Sequence, residues 1–155
     1  SSAASDVYKR QELHDPDIIL VPGGAGTRPL SSNQTFLTWL SETAHSAQLV
    51  TSVCTGSALL AAAGVLDGYR ATSNKVAFDW ATSFGTNVTW VPQARWVEDR
   101  ARWTSSGVAA GMDMTNALIA RLCGAETATK ATQLAEYEPQ MNPTYDPFAT
   151  IHGLV

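Results

Sequence analysis

The chain has 155 residues, 45% of them hydrophobic, and a formal net charge of −4. That is enough apolar material for one packed domain and argues against disorder. The acidic balance disfavours nucleic acid and anionic membrane surfaces as partners, and no apolar run approaches about 18 residues, the length that spans a bilayer.

Residues 1–11 are polar and aperiodic and read as a non-native or disordered leader, which leaves residues 12–155 as one domain. Asp17-Ile-Ile-Leu-Val-Pro22 is a short apolar strand ended by Pro22. Gly23-Gly-Ala-Gly26 follows as a flexible loop of the kind that turns backbone N–H groups onto an anion. It carries neither GxGxxG nor GxxxxGK[ST], so a nucleotide is disfavoured. Ser31 or Ser32 is expected to cap a helix through about Ala44, with Phe36, Leu37, Leu40 and Ala44 inward.

Gln48 to Val53 reads as a buried strand and runs straight into Cys54-Thr-Gly-Ser-Ala-Leu-Leu-Ala-Ala-Ala63, a helix stopped by Gly64. Asp67-Gly68 marks a turn and Tyr69–Thr72 a short strand. Ser73 or Asn74 is expected to cap a helix carrying Val76, Ala77 and Trp80 inward and closed by Gly85. Asn87–Val91, Ala94–Glu98 and Ala101–Ser105 read as strands, the last two forming a half-exposed antiparallel ribbon about an Asp99-Arg100 turn. Trp90, Trp96 and Trp103 suit a core edge better than a ligand-stacking surface. Helices follow over about Ala109–Cys123, with Met112, Leu118, Ile119 and Leu122 as the apolar face, and over about Glu126–Tyr137. The tail, with Pro139, Pro143 and Pro147, is expected to be irregular and to wrap a surface. Strands alternating with helices imply an α/β fold: a mostly parallel sheet sandwiched by helices.

Cys54 is the candidate nucleophile. A cysteine between a strand and a helix is displayed at the carboxyl end of the sheet, where the positive end of the helix favours thiolate, the attacking form. Cys123, late in an apolar helix, reads as a small core residue. Two cysteines without metal-type spacing suggest a reducing compartment and no disulfide framework. His14, His45 and His152 are scattered, so no metal site is expected.

Several segments together resemble the ThiJ/PfpI superfamily of the flavodoxin-like, class I glutamine amidotransferase-like fold. They are Asp17–Gly24, Val53-Cys-Thr-Gly56 with Leu59-Leu60 and Ala63-Gly64, Ala71-Thr-Ser-Asn74, Trp103–Gly107, Gly111-Met-Asp113 and Glu136-Tyr-Glu-Pro139. Order and spacing match over roughly Asp15 to Pro147, and the Cys-Thr-Gly form looks like the branch that contains isonitrile (isocyanide) hydratases. The resemblance implies that Cys54 is the nucleophile and that Gly23 and Gly24 form the cradle beside it. It also implies that Thr55 faces the reacting group through its N–H and hydroxyl, and that Asn74 stands where some relatives place a histidine. Asp113 is read as a carboxylate in the first turn of its helix, serving structure.

The implied reaction is hydration of a small electrophile, an isocyanide to an N-substituted formamide, by a cytoplasmic homodimer acting on a small-molecule substrate without a cofactor. Family members begin with a strand and helix carrying an acid that approaches the cysteine, and neither Glu12 nor Asp15 fits that motif. The expectation is therefore an N-terminally incomplete domain with weak or no activity by itself. Alternatives are glyoxalase-type or other thiol chemistry in the same fold, the non-enzymatic ligand-sensing domain of an AraC-type regulator, and redox sensing by Cys54.

Overall fold

The computed structural model describes residues 15–155, so the expected leader over 1–11 lies outside the described residues. Strands β1 (Ile18–Val21), β2 (Leu49–Val53), β5 (Trp96–Asp99) and β6 (Arg102–Ser105) form one sheet in the order β1-β2-β6-β5. The β1–β2 and β2–β6 pairs are parallel, while β5 returns antiparallel to β6. A second, two-stranded parallel sheet is made by β3 (Arg70–Ala71) and β4 (Thr89–Trp90). The helices are α1 (Thr27–Leu30), α2 (Gln34–Ser46), α3 (Gly56–Ala62), α4 (Phe78–Thr82), α5 (Val108–Cys123), α6 (Ala125–Leu134) and α7 (Pro147–Ile151).

Period-2 alternation sends successive strand residues to opposite faces. Ile19, Val21 and Val50 enter the larger core with Leu40 and Ala44 of α2, Leu59 and Leu60 of α3, and Leu66. Leu49 and Val53 instead meet the smaller core of Trp96, Trp103 and Met114, under α5. Helices thus cover both faces of the sheet, the expected α/β sandwich. Trp96 and Trp103 are buried and Trp90 packs against the larger core, so these tryptophans serve packing.

Several local expectations are corrected. Asn33, not Ser31 or Ser32, caps α2, its Oδ1 accepting from the Phe36 N–H at 3.0 Å; the two serines bond carbonyls of the preceding turn. The α4 helix starts only at Phe78 and buries Phe78 and Ala81, while Val76 is 76% exposed. On α5 the buried residues include Ala110, Gly111 and Met114, because a close seat on Val53 requires the small side; Met112 and Leu122 face outward. Asp113 lies in the second turn of α5 rather than the first, and Cys123 is exposed rather than core. The tail is not wholly irregular: Asp146 caps the short helix α7.

Candidate active site

Cys54 follows β2 directly and adopts φ 60°, a left-handed conformation for a residue with a side chain. Such a conformation costs about 1–3 kcal/mol and persists only where the surroundings over-determine it. Three hydrogen bonds do so here. The Cys54 N–H donates to the Ser105 carbonyl at 3.1 Å, and the Cys54 carbonyl accepts from Ser57 Oγ at 3.1 Å and Ser73 Oγ at 3.2 Å. Since β2 is paired on both sides, by β1 and β6, the turn stands on the centre of the sheet. The Cys54 residue is half-buried.

The glycine loop after β1 closes one side. A Cβ on Gly23 would lie 2.7 Å from the Thr55 nitrogen and 2.8 Å from Cys54 Cβ, so only glycine lets the loop come this near. Gly24 takes φ 117°, and its N–H donates to Thr55 Oγ1 at 3.1 Å. Thr27 Oγ1 lies 2.7 Å from the Gly24 carbonyl and 3.1 Å from Thr55 Oγ1. The Thr55 hydroxyl is therefore turned into the loop, where it ties β1's exit to the nucleophile turn, and the Gly24 amide is already engaged. Gly23, Gly24, Thr55 and Cys54 are brought together. Gly56 completes the seam, because any side chain there would run into the Val21 carbonyl.

Asn74 is placed differently. Its Oδ1 accepts from the Ala77 N–H at 3.1 Å, closing the turn before α4, and its amide nitrogen faces Gly107. It lines a cleft of about 270 Å³ with Lys75, Ser106, Gly107, Phe148 and His152. The residue that touches the nucleophile turn from this segment is its neighbour Ser73. A larger groove of about 440 Å³ lies between α5 and α6, beginning at Val53; Cys54 lines neither cavity. Ser73, Ser57 and Thr27 were not legible as site residues, since single hydroxyls in short loops carry no spacing signal.

Two buried carboxylates lie away from the thiol. Asp113 accepts from Arg95 Nε at 2.5 Å, from the Gln140 N–H at 2.8 Å and from the Tyr137 hydroxyl. Burial, then the bond and charge of Asp113, pushes the Tyr137 phenol up to about 12. Asp146 accepts from Ser106 Oγ at 2.5 Å and faces Lys75 Nζ at 3.7 Å. Burial draws Lys75 down to about 8, with the Asp146 charge opposing it. Among the described residues, no carboxylate or histidine is hydrogen-bonded to Cys54, and no group of three or more His, Cys, Asp and Glu could hold a metal ion.

Comparison with known proteins agrees with this architecture. The chain is 39% identical over 131 residues to an isonitrile hydratase of Pseudomonas putida, a match covering 84% of this chain and 55% of that protein. It is 34% identical over 122 residues to the HTH-type transcriptional regulator GbdR of Pseudomonas aeruginosa, covering 79% of this chain and 33% of the regulator. The chain thus spans about half the hydratase and a third of the regulator. A crystal structure of a ThiJ/PfpI family protein from Pseudomonas syringae superposes with a TM-score of 0.71 at 38% identity, over 80% of this chain and 50% of that one. Drosophila melanogaster DJ-1beta, at 19% identity and TM-score 0.68 over 85% of this chain and 69% of its own, shares the fold. The family model for DJ-1/PfpI matches residues 3–121, and with the glycine loop and the Cys54 turn in the places described, the chain belongs to the DJ-1/PfpI family.

Proposed function

We propose that the chain carries the nucleophilic half of a hydratase site in which Cys54 attacks a small electrophile, the best-supported substrate class being isocyanides. The observation that carries this reading is the Cys54 turn: a non-glycine residue at φ 60° at the carboxyl end of the central strand, held by three hydrogen bonds. The likeness to the Pseudomonas putida isonitrile hydratase supplies the substrate class.

In this mechanism Cys54 Sγ bonds to the terminal carbon of R–N≡C, and that carbon takes a proton, giving an S-bound thioimidate. Water then adds to the same carbon, the C–S bond breaks, nitrogen is protonated and the thiol is regenerated as R–NH–CHO leaves. Water is added without oxidation or reduction, so no redox group is required. Asp113 and Asp146 are committed to other partners and are not assigned these proton transfers. Gly23 lets the loop close against the turn, and the backbone N–H groups of Gly23 and Thr55 take up the developing charge. Asn74 contributes from the cleft side.

Two free thiols are consistent with a reducing, cytoplasmic setting. The apolar flank of α5, with Val108 and Met112 exposed, is consistent with a homodimer. The likeness to GbdR favours a second reading, a sensor domain that binds a ligand without turnover. The test is formamide production from a small aliphatic isocyanide by the protein and its Cys54→Ala variant. The hydratase reading expects turnover lost in a variant that still folds. Equal turnover in both would rule out Cys54 as nucleophile, and ligand binding without product would favour the sensor.

A further inference from the structure

Lys75 and Asp146 are among the most enclosed charged groups described, with side chains 2% and 1% exposed. The ammonium is held on three sides. It donates to Thr72 Oγ1 at 2.7 Å and to the Ala94 carbonyl at 2.7 Å, and it faces Asp146 Oδ2 at 3.7 Å. Two donors are hydrogen-bonded and the charge is paired with Asp146, which leaves Lys75 no role as a nucleophile or a substrate ligand. Asp146 is equally committed. Ser106 Oγ donates to Oδ2 at 2.5 Å, and the Phe148 N–H donates to Oδ1 at 3.1 Å, starting α7.

These contacts join three stretches that are far apart in sequence. The Thr72–Lys75 turn is anchored below by the Thr72 N–H on Thr104 Oγ1 at 2.8 Å, and it touches the nucleophile turn through Ser73 Oγ on the Cys54 carbonyl at 3.2 Å. The tail is tied to the sheet by the Pro143 carbonyl, which accepts from the Arg95 N–H at 2.7 Å. The tail also supplies Phe148 and His152 to the cleft that Asn74 lines. Lys75–Asp146 is the contact that spans turn and tail. A buried ion pair is a weak source of stability, because desolvation offsets the attraction; what it supplies is a fixed geometry.

We propose that Lys75 and Asp146 are positioning residues of the thiol site: their buried pair latches the Pro143–Ile151 tail onto the Thr72–Lys75 turn, which sets Ser73 against Cys54 and Asn74 at the cleft. The proposal rests on the reading of Cys54 as nucleophile. With the latch open, Ser73 no longer fixes the Cys54 carbonyl, and the left-handed turn relaxes and withdraws the thiol.

The experiment compares the unaltered chain with the Lys75→Met/Asp146→Asn double variant. That variant removes both charges at similar volume, so no charge is left buried and unpaired. Amide hydrogen exchange is read by peptide mass over residues 72–77 and 146–152. In parallel, the rate of Cys54 alkylation by iodoacetamide is divided by that of Cys123 in the same molecule. The expected result is a melting midpoint near that of the unaltered chain, faster exchange in both segments together, and a Cys54:Cys123 ratio lower by about tenfold, within the range that misplacing a reacting group produces. Faster exchange confined to 146–152 with an unchanged ratio would overturn the proposal. Should the double variant not fold, Ser73→Ala cuts the last link of the same chain and is expected to lower the ratio alone; an unchanged ratio there overturns it equally. If Cys54 of the unaltered chain does not outpace Cys123, the nucleophile reading fails, while the exchange comparison still decides the latch.

Discussion

The carboxyl end of the sheet and the β1–α5 flank are held in different ways. Around Cys54 the backbone is fixed by hydrogen bonds from Ser57 and Ser73 and to the Ser105 carbonyl, Gly23 lies at contact distance from the turn, and Gly24 bonds Thr55. Along the flank, Ile18 and Leu20 of β1 are 46% and 52% exposed, and Val108, Met112 and Leu122 of α5 are exposed as well. The first region is polar, short-range and geometrically exact in its demands. The second is apolar and bare among the described residues. Directional bonds are what a strained nucleophile turn needs, since hydrophobic contact alone tolerates small shifts in position. The flank has no such demand, and apolar surface of this kind suits an interface.

The sharpest way to break this contrast is to remove a directional contact and a flank contact in parallel. Asp113→Ala leaves Arg95, the Tyr137 hydroxyl and the Gln140 N–H without their acceptor, and should cost about 3–5 kcal/mol in urea unfolding, the scale for losing one partner of a buried pair. Gly56→Ala drives a methyl group into the Val21 carbonyl and should cost about 3 kcal/mol, near the top of the usual range for overpacking, with slower Cys54 alkylation as the turn shifts. At the other extreme, Leu20→Ser on the flank should stay within about 0.5 kcal/mol in the monomer while lowering any self-association seen by sedimentation. A cost for Leu20→Ser as large as that for Gly56→Ala would erase the distinction.

The buried Lys75 and the partly buried Tyr137 give a pH signature between these extremes. Lys75 has a folded-state value of about 8 against 10.5 unfolded, so between those pH values the unfolded chain binds more protons and stability rises with pH. Tyr137 has a folded-state value of about 12 against 10.0 unfolded, so it stabilises below pH 10 and that contribution is lost as pH rises toward 12. Urea midpoints taken from pH 7.5 upward should therefore carry an increment that disappears in Lys75→Met, and a decline above pH 10 that disappears in Tyr137→Phe.

The parts legible in sequence were those with a period or a punctuating residue. Ile18–Val21 and Leu49–Val53 are short β-branched runs bounded by Pro22 and Cys54, and they became parallel neighbours at the sheet's centre and edge. Gly23 and Gly24 were legible because a glycine pair after a strand leaves few other readings; Gly23 lies beside Cys54 and Gly24 bonds Thr55. The helix faces were less legible. On α5 the apolar residues Met112 and Leu122 suggested the inner side, yet Gly111 decides it by letting the helix sit on Val53. The tail was misread because its order comes from Asp146 and Asp113, whose partners Lys75, Ser106, Arg95 and Tyr137 are distant in sequence. Asn74 lines the cleft while its Oδ1 closes its own turn, and its neighbour Ser73, which carried no spacing signal, bonds the Cys54 carbonyl.

If the fold displays Cys54 for attack, competitive labelling of the two free cysteines will reveal it. Cys123 is exposed and Cys54 only half-buried, so simple access favours Cys123. Folded protein would be treated with iodoacetamide across pH and the two peptides quantified by mass. Cys54 is expected to label faster despite its lower exposure, with the order reversed or levelled after unfolding in urea. Faster labelling of Cys123 in the folded protein would contradict it.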